Sequence, residues 1–327
     1  MKKNILLSLS LVAAMMLMAT TACAHTTPSK QDAIEMAAPD EGTNIQVDTI
    51  EVMSQAMGRP IKNVVVMPKK YFGKHVADEQ YPVLYLLHGA MGCYSDWSEK
   101  TDLKPLADRY ECIIVCPDGQ DSWYLDSPVD PKMQFETYVS KELVEYIDSH
   151  YRTYPNRYMR AITGLSMGGH GALSLAWKHP DVFWSCGSMS GCTDITKYPN
   201  NWRIKERLGE YADNEQLWKE HSVYQLASLL KDNPLKPAQN IIIDDGLKDI
   251  FIKDNIALHD YLVEQGIDHD FTVRPGRHSW DYWVSALDYH MVFFSKAFAR
   301  GRKLMAEQET NNYPFVYHTI SINYEPT

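Results

Sequence analysis

The chain has 327 residues, 45% of them hydrophobic and 23% charged, with a formal net charge of −10. Length and balance allow one large α/β domain or two small ones. The acidic sum argues against nucleic acid as a partner, which would call for clustered cations on a basic domain.

The first 24 residues read as a signal peptide. Lys2 and Lys3 form a positive start, residues 5–18 are apolar, and Thr20-Thr21-Ala22-Cys23-Ala24 supplies small residues suited to cleavage. Export is therefore expected, to the periplasm, the medium or the outer membrane. Two processing routes fit. Cleavage after Ala24 releases a soluble chain, whereas lipidation of Cys23 tethers it; Thr20 stands where lipoprotein signals usually carry Leu. That lipid anchor is the sole membrane contact expected, because the apolar run is short and no second one follows. Residues 25–44, with Pro28, Pro39 and Gly42, look like a linker.

From residue 45 to about 300, strand-like runs alternate with helical patterns, as in a mostly parallel sheet covered on both faces. Residues 45–53 and 62–67 resemble an antiparallel opening pair. Runs 81–87 and 113–116 are apolar enough for buried central strands. Cys112 and Cys116 bracket the second of these in one apolar stretch, facing one side and too far apart to bond easily, so they read as small hydrophobes. Residues 135–151 have helical spacing, 159–163 are strand-like, 171–179 helical and 182–189 strand-like again. Cys186 and Cys192 are near enough in sequence to pair across a turn. Three further elements are strand 240–244, helix 251–264 and strand 270–274, followed by a last helix at 280–299.

Between 193 and 239 there is no strand character, but Trp202, Tyr211, Trp218 and Tyr224 are present. This segment reads as a helical insertion over the carboxyl edge of the sheet, where open α/β sheets bind ligands. A structural cover without substrate contact is the other reading. The tail, 301–327, is polar with isolated aromatics.

The chemistry centres on Gly164-Leu165-Ser166-Met167-Gly168, between a strand and a helix. This is a nucleophile elbow, G-x-S-x-G, in which a tight turn lifts the serine hydroxyl clear of the sheet. Serine needs a histidine base and an acid to orient that base. His278, between the last strand and the last helix, is best placed; His88, His170 and His269 are not. The acid should follow strand 240–244, where Asp244, Asp245 and Asp249 compete. Asp249 is favoured because it lies beyond Gly246, on the loop, while Asp244 is in the strand and Asp245 is suited to bracing the turn. Negative charge on the attacked carbonyl oxygen needs N–H donors. Met167, just after the serine, is one, and Ala90 in His88-Gly89-Ala90-Met91-Gly92 is the better candidate for the other.

These stretches, with Gly119 to Pro128 and His278-Ser279-Trp280-Asp281-Tyr282-Trp283, resemble an esterase group of α/β-hydrolases. The group includes tributyrin, feruloyl and acetyl-xylan esterases, S-formylglutathione hydrolase and the antigen 85 mycolyltransferases. The resemblance covers about 45–300 and implies an α/β-hydrolase fold with the triad Ser166, Asp249 and His278. It implies Ala90 and Met167 as oxyanion donors, Trp123 and Tyr124 lining the substrate cleft, and His88 beside them as a substrate-binding residue. The second loop matches least at Gln120-Asp121. No metal or cofactor is implied. The expected activity is hydrolysis of short-chain or aromatic acyl esters, on small molecules or plant polysaccharide. An acyltransferase and a non-catalytic carbohydrate-binding protein on the same fold are the alternatives. An acidic residue replaces His88 in the antigen 85 enzymes, which weakens the first, and the intact triad order argues against the second.

Overall fold

The computed structural model describes residues 46–312, except 74–77, 232–234 and 236–237, with side chains to 308. The chain divides into the units Met1–Asp40 and Glu41–Thr327, and the described residues belong to the second. The signal peptide with Cys23, the linker 25–44 and tail residues 313–327 lie outside the described residues.

Eight strands form one sheet: β1 Val47–Ser54, β2 Arg59–Val66, β3 Val83–Leu87, β4 Ile113–Pro117, β5 Arg160–Gly164, β6 Ser185–Met189, β7 Asn240–Gly246 and β8 Asp270–Arg274. Their order across the sheet is β1-β2-β4-β3-β5-β6-β7-β8. β1 and β2 are antiparallel, as the opening hairpin predicted, and β2 is also antiparallel to β4. From β4 to β8 every pairing is parallel. The sequence shows why. β1 alternates exposed and buried residues, as an edge strand with one wet face must, whereas Val-Leu-Tyr-Leu-Leu of β3 is buried throughout.

Successive side chains of β3 divide between two cores. Val83, Tyr85 and Leu87 join the elbow helix (Met167–Lys178) and the segment after β6, while Leu84 and Leu86 meet Leu287, Met291 and Phe294 of the last helix. Both faces of the sheet are therefore covered. Between β6 and β7 lie short helical segments such as Lys205–Leu208 and Glu215–His221, the expected helical insertion.

Several boundaries differ from expectation, and two of them bear on packing and on the site. The last helix runs Trp280–Asn312 rather than stopping near 299. Gly301 does not end it: a Cβ there would lie 2.6 Å from the Tyr158 carbonyl oxygen, so glycine permits a close crossing. β7 extends to Gly246, which places Asp245 inside the strand. Cys186 and Cys192 do not pair; with Cys112 and Cys116 they are buried free thiols.

Candidate active site

The parallel strands from β3 to β8 point their carboxyl ends one way, and the chemistry-bearing loops collect there. At the end of β5 the chain turns through Ser166 at φ +54° and ψ −117°, a strained conformation for a residue with a Cβ. Backbone bonds hold it: the Ser166 N–H donates to Met189 O at 3.0 Å, and the Gly168 N–H to Leu165 O at 2.7 Å. Gly168 is required by contact, because a Cβ would lie 2.5 Å from the His88 carbonyl oxygen. The turn is as tight as the motif predicts.

His278 reaches this serine from the loop after β8. Its Nε2 is 2.9 Å from Ser166 Oγ, and its Nδ1 is 3.0 and 3.1 Å from the two Asp249 oxygens. A carboxylate accepts only, so Nδ1 carries the proton and Nε2 is free to accept from the hydroxyl. The imidazole is gripped edge to face by Phe251 and Trp283, with ring centroids 5.3 and 4.8 Å away. Asp249 also accepts the Phe251 N–H at 2.9 Å, which fixes its carboxylate plane.

The two rejected acids have other partners. Asp244 accepts from the Tyr282 hydroxyl and pairs with Arg274 at 2.7 Å, and burial pushes its pKa up to about 6. Asp245 accepts the Gly246 N–H and the Asn255 amide, bracing the end of the strand. Burial, with the neighbouring Asp249 charge, raises its pKa. Among the passed-over histidines, His170 donates to or accepts from no triad member among the described residues, and burial holds its pKa down to about 3.

The two candidate oxyanion donors also lie at this edge. Met167 opens the elbow helix, where a first-turn N–H has no intrahelical partner. Ala90 follows Gly89, whose Cβ, if present, would be 3.4 Å from Ser166 Cβ. The Gly89–Ala90 peptide is aimed by His88. The His88 ring bonds the Gly89 carbonyl through Nδ1 at 2.7 Å and accepts the Gly119 N–H at Nε2, 2.8 Å away. A trans peptide sends its C=O and N–H in opposite directions, so tying down Gly89 O turns the Ala90 N–H away from His88.

Three expected substrate contacts are corrected by burial. His88, Trp123 and Tyr124 are each 1% exposed and present no face to a ligand. His88 orients the loop beside it. Trp123 donates Nε1–H to Trp202 O at 3.0 Å and packs on His170. The Tyr124 ring fills the space that side chains on Gly119 and Gly171 would need. Residues 123 and 124 turn inward at φ +58° and +55°, and no pattern in Ser-Trp-Tyr announces that turn. Trp202, in the insertion, is a half-buried aromatic at this edge, 5.3 Å from Phe251. It was legible only as one of several insertion aromatics.

The loops also carry exposed apolar side chains, Met91, Leu247 and Ile250. A cleft of about 670 Å³ opens at the opposite end of the sheet, beside Asn240 and Asp270 where β7 and β8 begin. It is remote from Ser166.

Residues 54–294 match the family model described as "Putative esterase". This chain belongs to that family. It is an enzyme, a carboxylic ester hydrolase on an α/β-hydrolase fold. An acetyl esterase of Caldicellulosiruptor saccharolyticus is 30% identical over 238 residues, covering 70% of this chain and 89% of the relative. An S-formylglutathione hydrolase of Bos taurus is 26% identical, covering 71% and 87%. Among solved structures, a ferulic acid esterase is 28% identical with a TM-score of 0.64, covering 77% of this chain and 98% of that one.

Proposed function

We propose that this esterase is an exported serine carboxylesterase that cleaves short-chain or aromatic acyl esters, acetyl and feruloyl groups on plant polysaccharide included. Ser166 attacks the ester carbonyl while His278 Nε2 takes its proton. Asp249 holds the imidazole tautomer and stabilises the imidazolium that forms. The N–H groups of Ala90 and Met167 receive the negative oxygen. His278 then protonates the departing alcohol, and water, deprotonated by the same ring, releases the acyl group and restores the serine.

The observation that carries this reading is the hydrogen-bond chain from Ser166 through His278 to Asp249. Acyl preference rests on similarity to an acetyl esterase and a ferulic acid esterase, and on the apolar loops with Trp202 beside them. Export rests on the pattern of residues 1–24.

The test is hydrolysis of p-nitrophenyl acetate by the wild type and Ser166→Ala. A loss of about 10⁴-fold or more is expected, and equal rates overturn the assignment of the nucleophile. Rates on methyl ferulate, acetylated xylan and tributyrin, measured side by side, rank the acyl groups. Fractionation of cells expressing the full chain or Cys23→Ala tests export and the anchor; cytoplasmic retention of the full chain sinks that part.

A further inference from the structure

The loop after β4 carries Asp121, which the structure gives two partners on different segments. Its Oδ1 accepts the Met91 N–H at 2.6 Å, and its Oδ2 accepts from Arg203 Nη1 at 3.2 Å. Met91 immediately follows Ala90, and Arg203 belongs to the insertion between β6 and β7.

Met91 stands at φ +62°, a region that residues with a Cβ avoid. Its side chain is 83% exposed, so packing does not hold it there. A strained backbone persists only where surroundings over-determine it. At Met91 the determining contact is the short, charge-assisted bond to Asp121. Arg203 is itself left-handed at φ +59°, next to Trp202 at φ +46°. That pair is pinned on both sides, by Asp121 at the guanidinium and by Trp123 at the Trp202 carbonyl. Arg203 also pairs with Glu206 at 2.8 Å.

We propose that Asp121 is a positioning residue for the oxyanion hole and that Arg203 couples the insertion to it. The Gly89–Ala90 peptide is oriented by His88 and the next one, Ala90–Met91, by Asp121. Both planes bordering Ala90 are thus fixed, and its N–H is aimed before substrate arrives. A segment that sits over the sheet edge and carries Trp202 thereby sets the geometry of the group that stabilises the transition state. The inference rests on the reading of Ala90 as an oxyanion donor.

Steady-state kinetics on p-nitrophenyl acetate and the affinity of a trifluoromethyl ketone test it. The ketone adduct on Ser166 carries the negative oxygen that the hole must bind. Asp121→Ala is expected to lower kcat about tenfold or more, leave KM within about twofold, and weaken the ketone by the same factor as kcat. Asp121→Asn keeps an acceptor oxygen for Met91 and should recover to within about threefold of wild type. Arg203→Ala, at an exposed side chain, should lower kcat and ketone affinity about threefold; it carries the test if Asp121→Ala does not fold. Unchanged kcat and ketone affinity in Asp121→Ala, or in Arg203→Ala where the first is insoluble, overturns the proposal. So does a loss confined to KM. If Ser166→Ala is inactive while these variants behave as wild type, the positioning role fails and the serine mechanism stands.

Discussion

The loops that deliver Asp249 and His278 differ from the loops that rim the site in what holds them. After β7 and β8 the holding is backbone to backbone: Leu247 N–H donates to Arg274 O and Lys248 N–H to Gly276 O, both at 2.8 Å. Gly246 and Gly276 let the two loops touch, since a Cβ on Gly246 would lie 2.7 Å from the Gly276 carbonyl carbon. Around residues 119–130 and 202–207 the holding is by side chains. Ser127 Oγ donates to Arg207 O at 2.6 Å, Arg207 pairs with Asp130 at 3.1 Å, and Asp121 and Trp123 bind the Arg203 guanidinium and Trp202 carbonyl. A backbone zipper keeps its geometry under most side-chain changes. A side-chain clamp changes with each substitution. The Ser166–His278–Asp249 chain is thus insulated from drift at its neighbours, whereas the geometry of the rim is open to change by single substitutions.

The strongest way to break this comparison is to attack the insulated half directly. His278→Ala should cost about 10⁴-fold or more in kcat on p-nitrophenyl acetate, with the melting temperature within a few degrees of wild type. Asp249→Asn should lose about 10⁴-fold, because an amide no longer enforces the Nδ1–H tautomer. Asp245→Asn, one strand position past Asp244 and also buried, should lose less than about tenfold. If Asp245→Asn proves as damaging as Asp249→Asn, the acid has been misassigned.

The same contrast explains what could be read from residues alone. Strand identities, the elbow and the order Ser166, Asp249, His278 were legible because each rests on local chemistry: an apolar run, glycines at a turn, a polar residue just past a strand. β8 was placed at 270–274 and found there. The rim was not legible. Whether Trp123 faces a ligand or the core depends on two left-handed residues and on a carbonyl 79 residues away. Asp121 carries no motif, and its role appears only when Met91 and Arg203 are brought to it in space. Strain was equally invisible. Among the described residues, Met91, Gln120, Trp123, Tyr124, Ser166, Ser190, Trp202 and Arg203 all have positive φ and all fall in segments at this edge. Of these, only Ser166 sits in a pattern that announces it.

Trp202 offers a finer cut through the rim. Its ring lies 5.3 Å from Phe251, which in turn packs against the His278 imidazole. Trp202→Ala should reduce kcat/KM on methyl ferulate about tenfold while p-nitrophenyl acetate stays within about threefold, as expected when one stacking face for an aromatic acyl group is lost. Equal losses on both esters would mean that Trp202 supports the loops rather than the substrate.

The smallest effect lies at the foot of the elbow helix, where side chains hold structure far from the serine. Glu136 meets Lys178 Nζ at 2.8 Å and His179 Nε2 at 3.0 Å. Burial pushes its pKa up, but the His179 hydrogen bond and the Lys178 charge outweigh it and bring the carboxyl down to about 2. With the folded value below the unfolded one, the carboxylate contributes stability above about pH 4.5 and loses it as pH falls towards 2. Glu136→Gln should therefore be less stable in urea by about 2–3 kcal/mol near pH 6, with the gap narrowing steadily by pH 3. Activity per folded molecule should not change, since among the described residues this pair bonds to no residue of the Ser166, Asp249 and His278 loops. A gap of constant size from pH 6 to pH 3 would show that Glu136 acts through packing, and the ion-pair account of this helix end would be abandoned.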